Sequence, residues 1–278
     1  MTVQVAAILV NWRQPELTMR AVEYLRRQTL VPDIFVVENG SGDNSVDILK
    51  ARLPSDVRML VNHENVGFGK GCNTAIKKIL ENGFDYIWLI NNDAVPDENC
   101  LANLVSVAQA SRGMAVVGGR IVDDTGEAAD HTGTVMGTFS LNCKSTLSEE
   151  ELRSMNFSWI TGACMLLPVE AVRKNGCFDE GYFMYWEDAD LCMRMRASGC
   201  DLKVADKAIV YHTAGTSSDN FKSKRFDWHL TSLIRFVKKH HRFSSFAIAV
   251  IYARHIVKSV LTRDWDRFRN TISHIAGR

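Results

Sequence analysis

Several signals that would assign a chain to a simple class of protein are missing from this 278-residue sequence. Its seven cysteines include no C-x-x-C pair, and such an odd, unpaired set is typical of thiols in a reducing compartment rather than of disulfides or zinc ligands. The first ten residues lack a basic segment and a small-residue cleavage site, which favours a strand over a signal peptide. We therefore expect the protein to stay in the cytoplasm.

Net charge is also nearly absent, at +1, but its distribution is uneven. From residue 220 to the end, 13 Lys and Arg stand against three Asp, a net charge of +10. This leaves 20 of the 33 basic and 29 of the 32 acidic residues before it, a net charge of −9. The sequence thus predicts an acidic body over residues 1–219 and a basic module over residues 220–278.

The first 122 residues alternate short apolar runs with helical patterns. We predict strands near residues 3–10, 34–38, 57–61, 86–90 and 114–122, with a helix between each pair. This order indicates an α/β domain with a mostly parallel, Rossmann-like central sheet flanked by helices. Ligands of such sheets bind outside the carboxyl ends of the strands, so the residues after each strand are the first candidates for a site.

The turn after the second predicted strand carries polar groups and two glycines. Glu38 and Asn39 could accept and donate hydrogen bonds to a base or a ribose. An ordinary turn, with Asp43 or Ser45 capping the next helix, explains the same residues and is favoured when they are considered alone.

A glycine-rich segment over residues 65–73 opens a later helix. Its three glycines and Lys70 suit an anion, because free backbone N–H groups and the helix dipole both favour negative charge there. The segment matches neither common phosphate fingerprint, since Glu64 and Cys72 stand where those patterns need glycine. Two interpretations of the segment remain, a phosphate site and a loop that its glycines make flexible.

The strand predicted at 86–90 runs into Asn91-Asn92-Asp93. A departing diphosphate needs its charge neutralised, and a Mg²⁺ or Mn²⁺ ion held by carboxylates does this. Only Asp93 carries a charge here, so a second ligand would have to come from elsewhere. A lone Asp after a strand is more often a turn residue or a helix cap.

Aromatic and acidic side chains are concentrated between residues 159 and 212. The stretch begins with an apolar run at 159–167 that predicts one strand, and it ends with a predicted strand pair that leads to His212. Glu187, Asp188 and Asp190 follow directly on a cluster of aromatic rings. Acids in a first helical turn usually complement the helix dipole, but the same position keeps a carboxylate ionised, as a general base requires. The rings could bind a sugar or fill the core. They are Phe178, Tyr182, Phe183, Tyr185 and Trp186.

In this order, the blocks within residues 3–240 resemble glycosyltransferase family 2, the inverting nucleotide-sugar enzymes of GT-A fold, and in particular their rhamnosyltransferase-like branch. The resemblance implies a GT-A catalytic domain over residues 1–219, with a donor-binding half to about 122 and an acceptor-side half from about 123. The donor would be dTDP-rhamnose or a UDP-linked hexose such as galactofuranose. The acceptor would be a lipid-linked glycan of a cell-surface polysaccharide such as O-antigen.

The resemblance also implies roles for individual residues. Asp188 would be the general base, and Asp93 with His212 would hold Mn²⁺ or Mg²⁺. The acceptor or sugar side would include Trp186, Tyr185 and Glu187. The donor would be bound by Val10, Asn11, Glu38, Asn39, Gly67, Lys70, Asn73 and Asn92.

Two regions depart from the alternating pattern. Residues 123–158 hold few large apolar side chains and are expected to form an acceptor-side loop, with one polar helix near 145–154.

Residues 220–278 show apolar residues at helical spacing between Lys and Arg, including an apolar run at 246–253 that we judge too short and charged to span a bilayer. A peripheral helix on an anionic membrane is favoured. Packing on the catalytic domain and a homodimer interface are the alternatives, and no nucleic-acid motif accompanies the charge.

Two other functions compete with glycosyl transfer. A nucleotidyltransferase shares the parallel sheet and the metal carboxylate, but typically places a glycine-rich basic loop after the first strand, where Asn11-Trp-Arg stands here. A membrane-docked binding module without catalysis is suggested by Asn91-Asn92-Asp93, which aligns with the family's D-x-D-type motif but keeps only one acidic residue.

Overall fold

The computed structural model describes residues 3–123, 132–212 and 222–277. The expected boundary between residues 219 and 220 lies outside these ranges. Within them the strands are β1 (Val5–Asn11), β2 (Asp33–Asn39), β3 (Arg58–Asn62), β4 (Tyr86–Ile90), β5 (Ala94–Pro96), β6 (Ala115–Val122), β7 (Gly133–Met136), β8 (Cys143–Thr146), β9 (Phe157–Ile160), β10 (Cys164–Pro168) and β11 (Asp201–His212). The helices are α1 (Pro15–Arg26), α2 (Ser45–Arg52), α3 (Phe68–Leu80), α4 (Cys100–Ala110), α5 (Glu149–Ser154), α6 (Val169–Asn175), α7 (Glu187–Ala197), α8 (Lys222–His240), α9 (Ser244–Thr262) and α10 (Trp265–Ile275).

Eight strands form the central sheet, in the order β3-β2-β1-β4-β10-β6-β11-β5. The pairs β3-β2, β2-β1, β1-β4 and β6-β11 are parallel, whereas β10 runs antiparallel to both of its neighbours and β5 antiparallel to β11. Helices cover both faces, as the alternation of strands and helices predicts. The mostly parallel, helix-flanked sheet is thereby confirmed.

The sheet divides the core into two apolar layers because successive side chains of a strand point to opposite faces. In β1, Ala6 and Ile8 join the layer that holds Ile76 of α3, while Val5, Ala7 and Leu9 join the layer under α1 and α4. A strand buried on both sides has to be apolar throughout, which is why the sequence shows continuous runs here rather than alternation.

The expectation of a weakly structured loop over residues 123–158 was wrong for the described residues 132–158. They form a second, antiparallel sheet in the order β8-β7-β9, together with α5. Val135, Met136 and Phe157 are buried in the main core. Strands of four residues are too short to leave a clear alternating pattern, so the sequence signal was weak.

Strand boundaries after residue 158 also differ from the prediction. The apolar run from 159 to 167 is not one strand, because β9 ends at Ile160 and β10 starts at Cys164 in the other sheet. Conversely, the strand pair predicted before His212 is the single strand β11, which contains an irregularity between Ala205 and Ile209. The three-residue strand β5 was missed.

The basic C-terminal region starts inside the main fold. Leu230, Phe236 and Val237 of α8 are fully buried in the same core layer as α3 and α7. The next helix, α9, is 19 residues long with a mean hydropathy of 1.3, long and apolar enough by length and composition to cross a membrane. The judgement that the apolar run is too short was therefore wrong, since the helix extends well beyond residues 246–253 at its C-terminal end.

Candidate active site

The carboxyl ends of β1 and β4 meet at one threonine of α1. The Thr18 hydroxyl donates to Asn11 Oδ1 at 2.8 Å and accepts from the Asn92 side-chain amide at 3.1 Å. Asn11 is fully buried, whereas Asn92 is only partly buried. Thr18 was not among the predicted residues, because one polar residue in an amphipathic helix gives no sequence signal of this role. Of the two amides, Asn92 is the one open to a ligand.

Glu38 shapes the turn after β2 through its carboxylate. Its two oxygens accept from the backbone N–H groups of Gly40, at 3.2 Å, and Ser41, at 2.9 Å, and the residue is buried. Gly40 has φ +63°, and a Cβ there would lie 2.0 Å from the backbone of Glu64. In this structure the carboxylate thus fixes the loop backbone at the end of β2.

Asn39 connects this turn to the glycine-rich segment. Its amide nitrogen donates to Asn65 Oδ1 at 3.2 Å and to the Gly67 carbonyl at 3.1 Å, and its oxygen accepts from Asn62 at 2.9 Å. A Cβ on Gly71 would touch both Asn39 and the partly buried Val10 at 3.3 Å. The loops after β1, β2 and β3 are thereby brought into contact.

Gly67 is required by the close approach of a second loop. It has φ +86°, and a Cβ there would lie 2.0 Å from the Phe183 carbonyl oxygen. That carbonyl also accepts a hydrogen bond from the Phe68 N–H at 3.1 Å. The glycine therefore permits the loop of residues 178–186, which we call the aromatic loop, to pack on the start of α3.

Asn73 and Lys70 face the same aromatic loop from α3. The buried Asn73 donates to the Phe178 carbonyl and accepts from the Phe178 N–H, each at 3.0 Å, and also donates to Glu180 at 3.2 Å. Lys70 is about half exposed and lies 3.9 Å from Glu180. The Asn73 hydrogen bond is the main reason that the pKa of Glu180 is lowered. Asn73 thus anchors the loop, and Lys70 is the group here that solvent or a ligand can reach.

Tyr185 and Trp186 form a strained turn directly before α7. Both have φ +67°, a left-handed conformation that is costly for bulky side chains and is concentrated at functional sites. The turn sets Glu187 and Asp188 in the first turn of α7. Such strain persists only when the surrounding structure holds it, and contacts from α8 do so.

Trp186 lies in the core rather than on a surface that a sugar can reach. It is 7% exposed, and its ring packs against Trp159 at 5.3 Å and Phe236 at 5.1 Å between centroids. Its indole N–H donates to His229 Nε2 at 3.3 Å, and burial followed by the charge of Arg267 lowers the pKa of His229. The expected stacking of Trp186 on a sugar is therefore not available in this structure. Tyr185 is more open.

Asp188 is held by two backbone N–H groups at the start of α7. Oδ2 accepts from Gly162 at 3.1 Å and Oδ1 from Ala189 at 2.8 Å. Burial raises the pKa of Asp188, while these two hydrogen bonds oppose the rise. Gly162 was not predicted, although a glycine within the apolar run from 159 to 167 is a signal for a break.

Glu187 differs sharply from its neighbour. It is buried, and one of its oxygens, Oε2, has no hydrogen-bond partner among the described residues. Burial, with a smaller contribution from the charge of Asp188, raises the pKa of Glu187 to about 8. The two backbone hydrogen bonds favour the charged form of Asp188, so Asp188 rather than Glu187 takes the first negative charge of the pair.

The expected metal ligands approach the same edge of the sheet. The Asn91 N–H donates to the Ala163 carbonyl at 3.0 Å, next to the glycine that binds Asp188. On the other side, His212 of β11 pairs with Ala94, the residue that follows Asp93. Among the described residues, no group of three or more His, Cys, Asp or Glu is arranged to hold a metal. One carboxylate and one imidazole fit a divalent ion whose other ligands are phosphate oxygens and water.

A family model described as glycosyl transferase family 2 matches residues 7–176, more than half of the chain. The chain belongs to glycosyl transferase family 2. The predicted family and enzyme class are confirmed, which removes the nucleotidyltransferase alternative.

Among curated proteins, this glycosyltransferase is 29% identical over 187 residues to the rhamnosyltransferase WbbL of Escherichia coli, covering 62% of the chain and 70% of the relative. It is 24% identical over 231 residues to N-acetylglucosaminyl-diphospho-decaprenol L-rhamnosyltransferase of Mycobacterium tuberculosis, covering 74% and 75%. A galactofuranosyltransferase of the same organism, GlfT1, is 33% identical over 112 residues, covering 39% and 37%.

Solved structures agree on the fold. The structure of GalNAc-T7 with UDP, GalNAc and Mn²⁺ matches with a TM-score of 0.69 at 14% identity, covering 99% of this chain and 57% of that one. A mannosyltransferase from Pyrobaculum calidifontis in complex with GDP-Man and Mn²⁺ matches with a TM-score of 0.63 at 14% identity, covering 99% and 75%. The chain therefore spans little more than half of the first of these proteins. The GT-A fold is confirmed.

Proposed function

We propose that this glycosyltransferase transfers a sugar, with inversion, from a pyrimidine nucleoside diphosphate sugar to a hydroxyl group of a lipid-linked glycan. The observation that carries the proposal is Asp188, a carboxylate with a raised pKa that two backbone N–H groups orient beside the carboxyl end of β4. A general base works best when its pKa lies close to the working pH. An inverting transfer requires one such base.

Asp188 accepts the proton of the acceptor hydroxyl as its oxygen attacks the anomeric carbon. The new glycosidic C–O bond forms on one face of the sugar while the bond to the diphosphate oxygen breaks on the other. The nucleoside diphosphate leaves with the bonding electron pair, so no covalent sugar intermediate is needed. Glu187 stays protonated near neutral pH, because its pKa is about 8, and adds no second charge beside the base.

The donor lies across the segments that follow β1, β2, β3 and β4 in this proposal. Val10 and Asn11, together with Glu38, Asn39, Gly67 and Asn73, build the floor and hold the loop backbones. Asn92 and Lys70 are the groups open to the donor, and Lys70 is placed to attract the diphosphate. Asp93 and His212 would hold Mn²⁺ or Mg²⁺, which when bound neutralises the charge on the departing diphosphate. Tyr185 is the ring that borders the sugar.

The names of the relatives support two donors. Two of the relatives are named as rhamnosyltransferases, which supports rhamnose as the sugar, and one is named as a galactofuranosyltransferase, which supports galactofuranose. The donors we propose are therefore dTDP-rhamnose or UDP-galactofuranose, with the nucleotides taken from the family resemblance. The diphospho-decaprenol acceptor in one relative's name supports a lipid-linked acceptor used at the inner face of the membrane, in the synthesis of a cell-surface polysaccharide.

The test compares wild type, Asp188→Asn and Asp93→Ala in calorimetric titrations with UDP and dTDP, each with and without Mn²⁺, and in turnover assays. Asp188→Asn should lose about 10²–10⁴-fold in turnover, the usual contribution of a general base, and keep metal-dependent nucleotide binding. Asp93→Ala should lose the metal dependence of binding.

Asp206→Asn is the matched control, because Asp206 is an exposed carboxylate at the irregularity of β11. It should behave as wild type in both assays. Near-normal turnover in Asp188→Asn would remove the base assignment. Nucleotide binding in Asp93→Ala that still responds to Mn²⁺ would remove the metal assignment.

A further inference from the structure

The outer sides of α9 and α10 expose large apolar side chains. Leu261 is 78% exposed and Trp265 57% exposed, at the junction of the two helices. Counted from Val257, the exposed residues of α9 lie eleven residues before it and three and four after it, and those of α10 follow one another at seven and three. These spacings are close to whole numbers of helical turns, so the exposed residues form one stripe along each helix. We call this surface the α9–α10 face, and it consists of Phe246, Val257, Val260, Leu261, Trp265, Ile272 and Ile275.

Basic side chains outnumber acidic ones around this apolar surface. Arg242, Lys258 and Arg263 are exposed there, and the region from residue 220 onward carries a net charge of +10. The two acids beside Trp265 have partners of their own, since Asp264 accepts from a backbone N–H of α10 and Asp266 pairs with a neighbouring arginine. Apposing two copies of the face would bring two such basic regions together, which is unfavourable. An anionic lipid surface offers both an apolar layer for the rings and headgroups for the cations.

We propose that the α9–α10 face docks on an anionic membrane surface, with Leu261 and Trp265 inserted at the level of the lipid headgroups. Trp is well suited to this depth, because its ring is apolar and its N–H is polar.

The other side of α9 shows why the helix lies on the bilayer rather than across it. Ala247 and Ile251 are buried in the main core layer. Arg254 donates to the Ser140 carbonyl at 2.8 Å and also bonds to Asn142, both in the β7–β8 connection. Crossing the bilayer would break these contacts with the catalytic domain. Docking leaves them in place.

The docking helices are joined through α8 to the strained Tyr185–Trp186 turn before α7. One face of α8 holds that turn: Arg225 bonds to the Tyr185 hydroxyl, His229 to Trp186 and Ser232 to the Met184 carbonyl.

Another side of α8 contacts the docking helices. The Phe226 ring meets His255 of α9 at 5.2 Å and lies under Arg267 of α10, and Asp227 bonds to His274. Since the exposed side of the docking helices faces the lipid, α8 and one docking helix, about 20 Å together, separate the Tyr185–Trp186 turn from the bilayer. This consequence rests on the proposed function: the reactive acceptor hydroxyl lies near the bilayer, as in a short glycan on a lipid diphosphate.

The test is co-sedimentation of the full chain with vesicles of phosphatidylglycerol and phosphatidylcholine, or of phosphatidylcholine alone. Wild type should pellet with the anionic vesicles at low salt and be released at high salt. The double variant Leu261→Asp with Trp265→Asp should bind at least ten-fold more weakly. Val31→Asp is the matched control, because Val31 is 62% exposed on the catalytic domain before β2, and it should bind as wild type.

Three results would overturn the proposal. Wild type could stay in the supernatant with anionic vesicles at low salt. Light scattering could instead show that wild type is a dimer and the double variant a monomer, with neither protein bound to vesicles. The face would then be a subunit interface. Bound protein could also resist extraction with alkaline carbonate, which would mean that α9 crosses the bilayer.

Docking and catalysis can be separated with variants already named. Asp188→Asn should bind vesicles as wild type does, so a failed base assignment leaves the docking result unaffected. The double variant should keep metal-dependent binding of UDP or dTDP and lose turnover only with acceptors embedded in vesicles. Loss of nucleotide binding in that variant would instead show a folding defect, and the docking proposal would then fail unless Leu261→Ser alone reproduced the weaker vesicle binding with nucleotide binding intact.

Discussion

Individual residues at the site owe their identity to different physical demands. Asp188 needs hydrogen bonds that orient a carboxylate, whereas Glu187 beside it is buried with one oxygen unpaired. Gly67 is needed because the backbone of Phe183 approaches it. These demands can be tested separately.

Replacing Gly67 by Ala should disrupt the site more than a similar change elsewhere. Both Gly67, at φ +86°, and Gly199, at φ +97°, would bear a backbone penalty of about 1–2 kcal/mol as Ala. Only at Gly67 would the added Cβ collide with the Phe183 backbone, since nothing lies within 4 Å at Gly199. Urea unfolding and nucleotide titration of both variants measure the difference. Equal losses in the two variants would contradict the close approach.

Replacing Glu187 by Gln should flatten the dependence of stability on pH. The folded-state pKa, about 8, lies above the unfolded value of 4.5, so the folded state holds this proton more tightly. Stability from this group is thus complete below about pH 4.5 and is lost as the pH rises through 8, by a few kcal/mol, since each unit corresponds to about 1.4 kcal/mol.

Urea midpoints at pH 6 and pH 9 measure this change. Wild type should lose more stability than Glu187→Gln between the two values. Glu170→Gln, whose side chain is 83% exposed, should follow wild type. Parallel behaviour of Glu187→Gln and wild type would show that Glu187 is ionised without cost in the folded protein.

At the scale of elements, α8 holds α7 and the strained turn in place. Asp190 of α7 is fully buried and lies 2.9 Å from Arg194, 2.7 Å from Lys239 and 2.8 Å from His240. Burial alone would raise its pKa, but hydrogen bonds from His240, Lys239 and Arg194 hold the pKa well below the usual range. From the sequence, Asp190 is one of several acids in the first turn of this helix, where such acids usually complement the helix dipole. Its two partners on α8, Lys239 and His240, lie about 50 residues away and leave no local signal.

Replacing Asp190 by Asn should destabilise the protein by about 3–5 kcal/mol, because three basic groups lose their buried counter-charge. The stability that Asp190 supplies is present above the unfolded carboxyl pKa, about 3.9, and is lost as the pH falls below it. Urea unfolding at pH 7 measures the cost. Asp227→Asn removes a carboxylate that bonds to His274 but is 55% exposed, and this change should cost far less stability. Similar costs for both variants would count against the role of α8 as a clamp.

At the scale of the whole molecule, we propose that the first folding unit extends through α8, past the change of charge near residue 220. The first basic helix supplies fully buried side chains to the core, and the second and third form the exposed α9–α10 face. The boundary predicted between residues 219 and 220 and a boundary after α8 make different predictions for truncated chains.

Two truncated chains test this division. A chain that ends at residue 220 lacks Leu230, Phe236 and Val237 and should show no cooperative thermal transition by circular dichroism. A chain that ends at Arg242 keeps α8 and should unfold cooperatively, at a lower temperature than wild type because one side of α8 is uncovered. A cooperative transition near that of wild type in the shorter chain would restore the boundary at 219.

Local patterns were sufficient for β1 to β4, β6 and the helices between them, because a strand that is buried on both faces of a parallel sheet is a continuous apolar run in the sequence. They were also sufficient, with the resemblance, to select the family. Only the tertiary structure decided that Trp186 is buried against Trp159 and Phe236, that Asn39 and Asn73 hold loops together, and that Asp188 is oriented by Gly162. These facts depend on contacts between residues far apart in the chain, and no local pattern of apolar and polar residues records which distant backbone will approach.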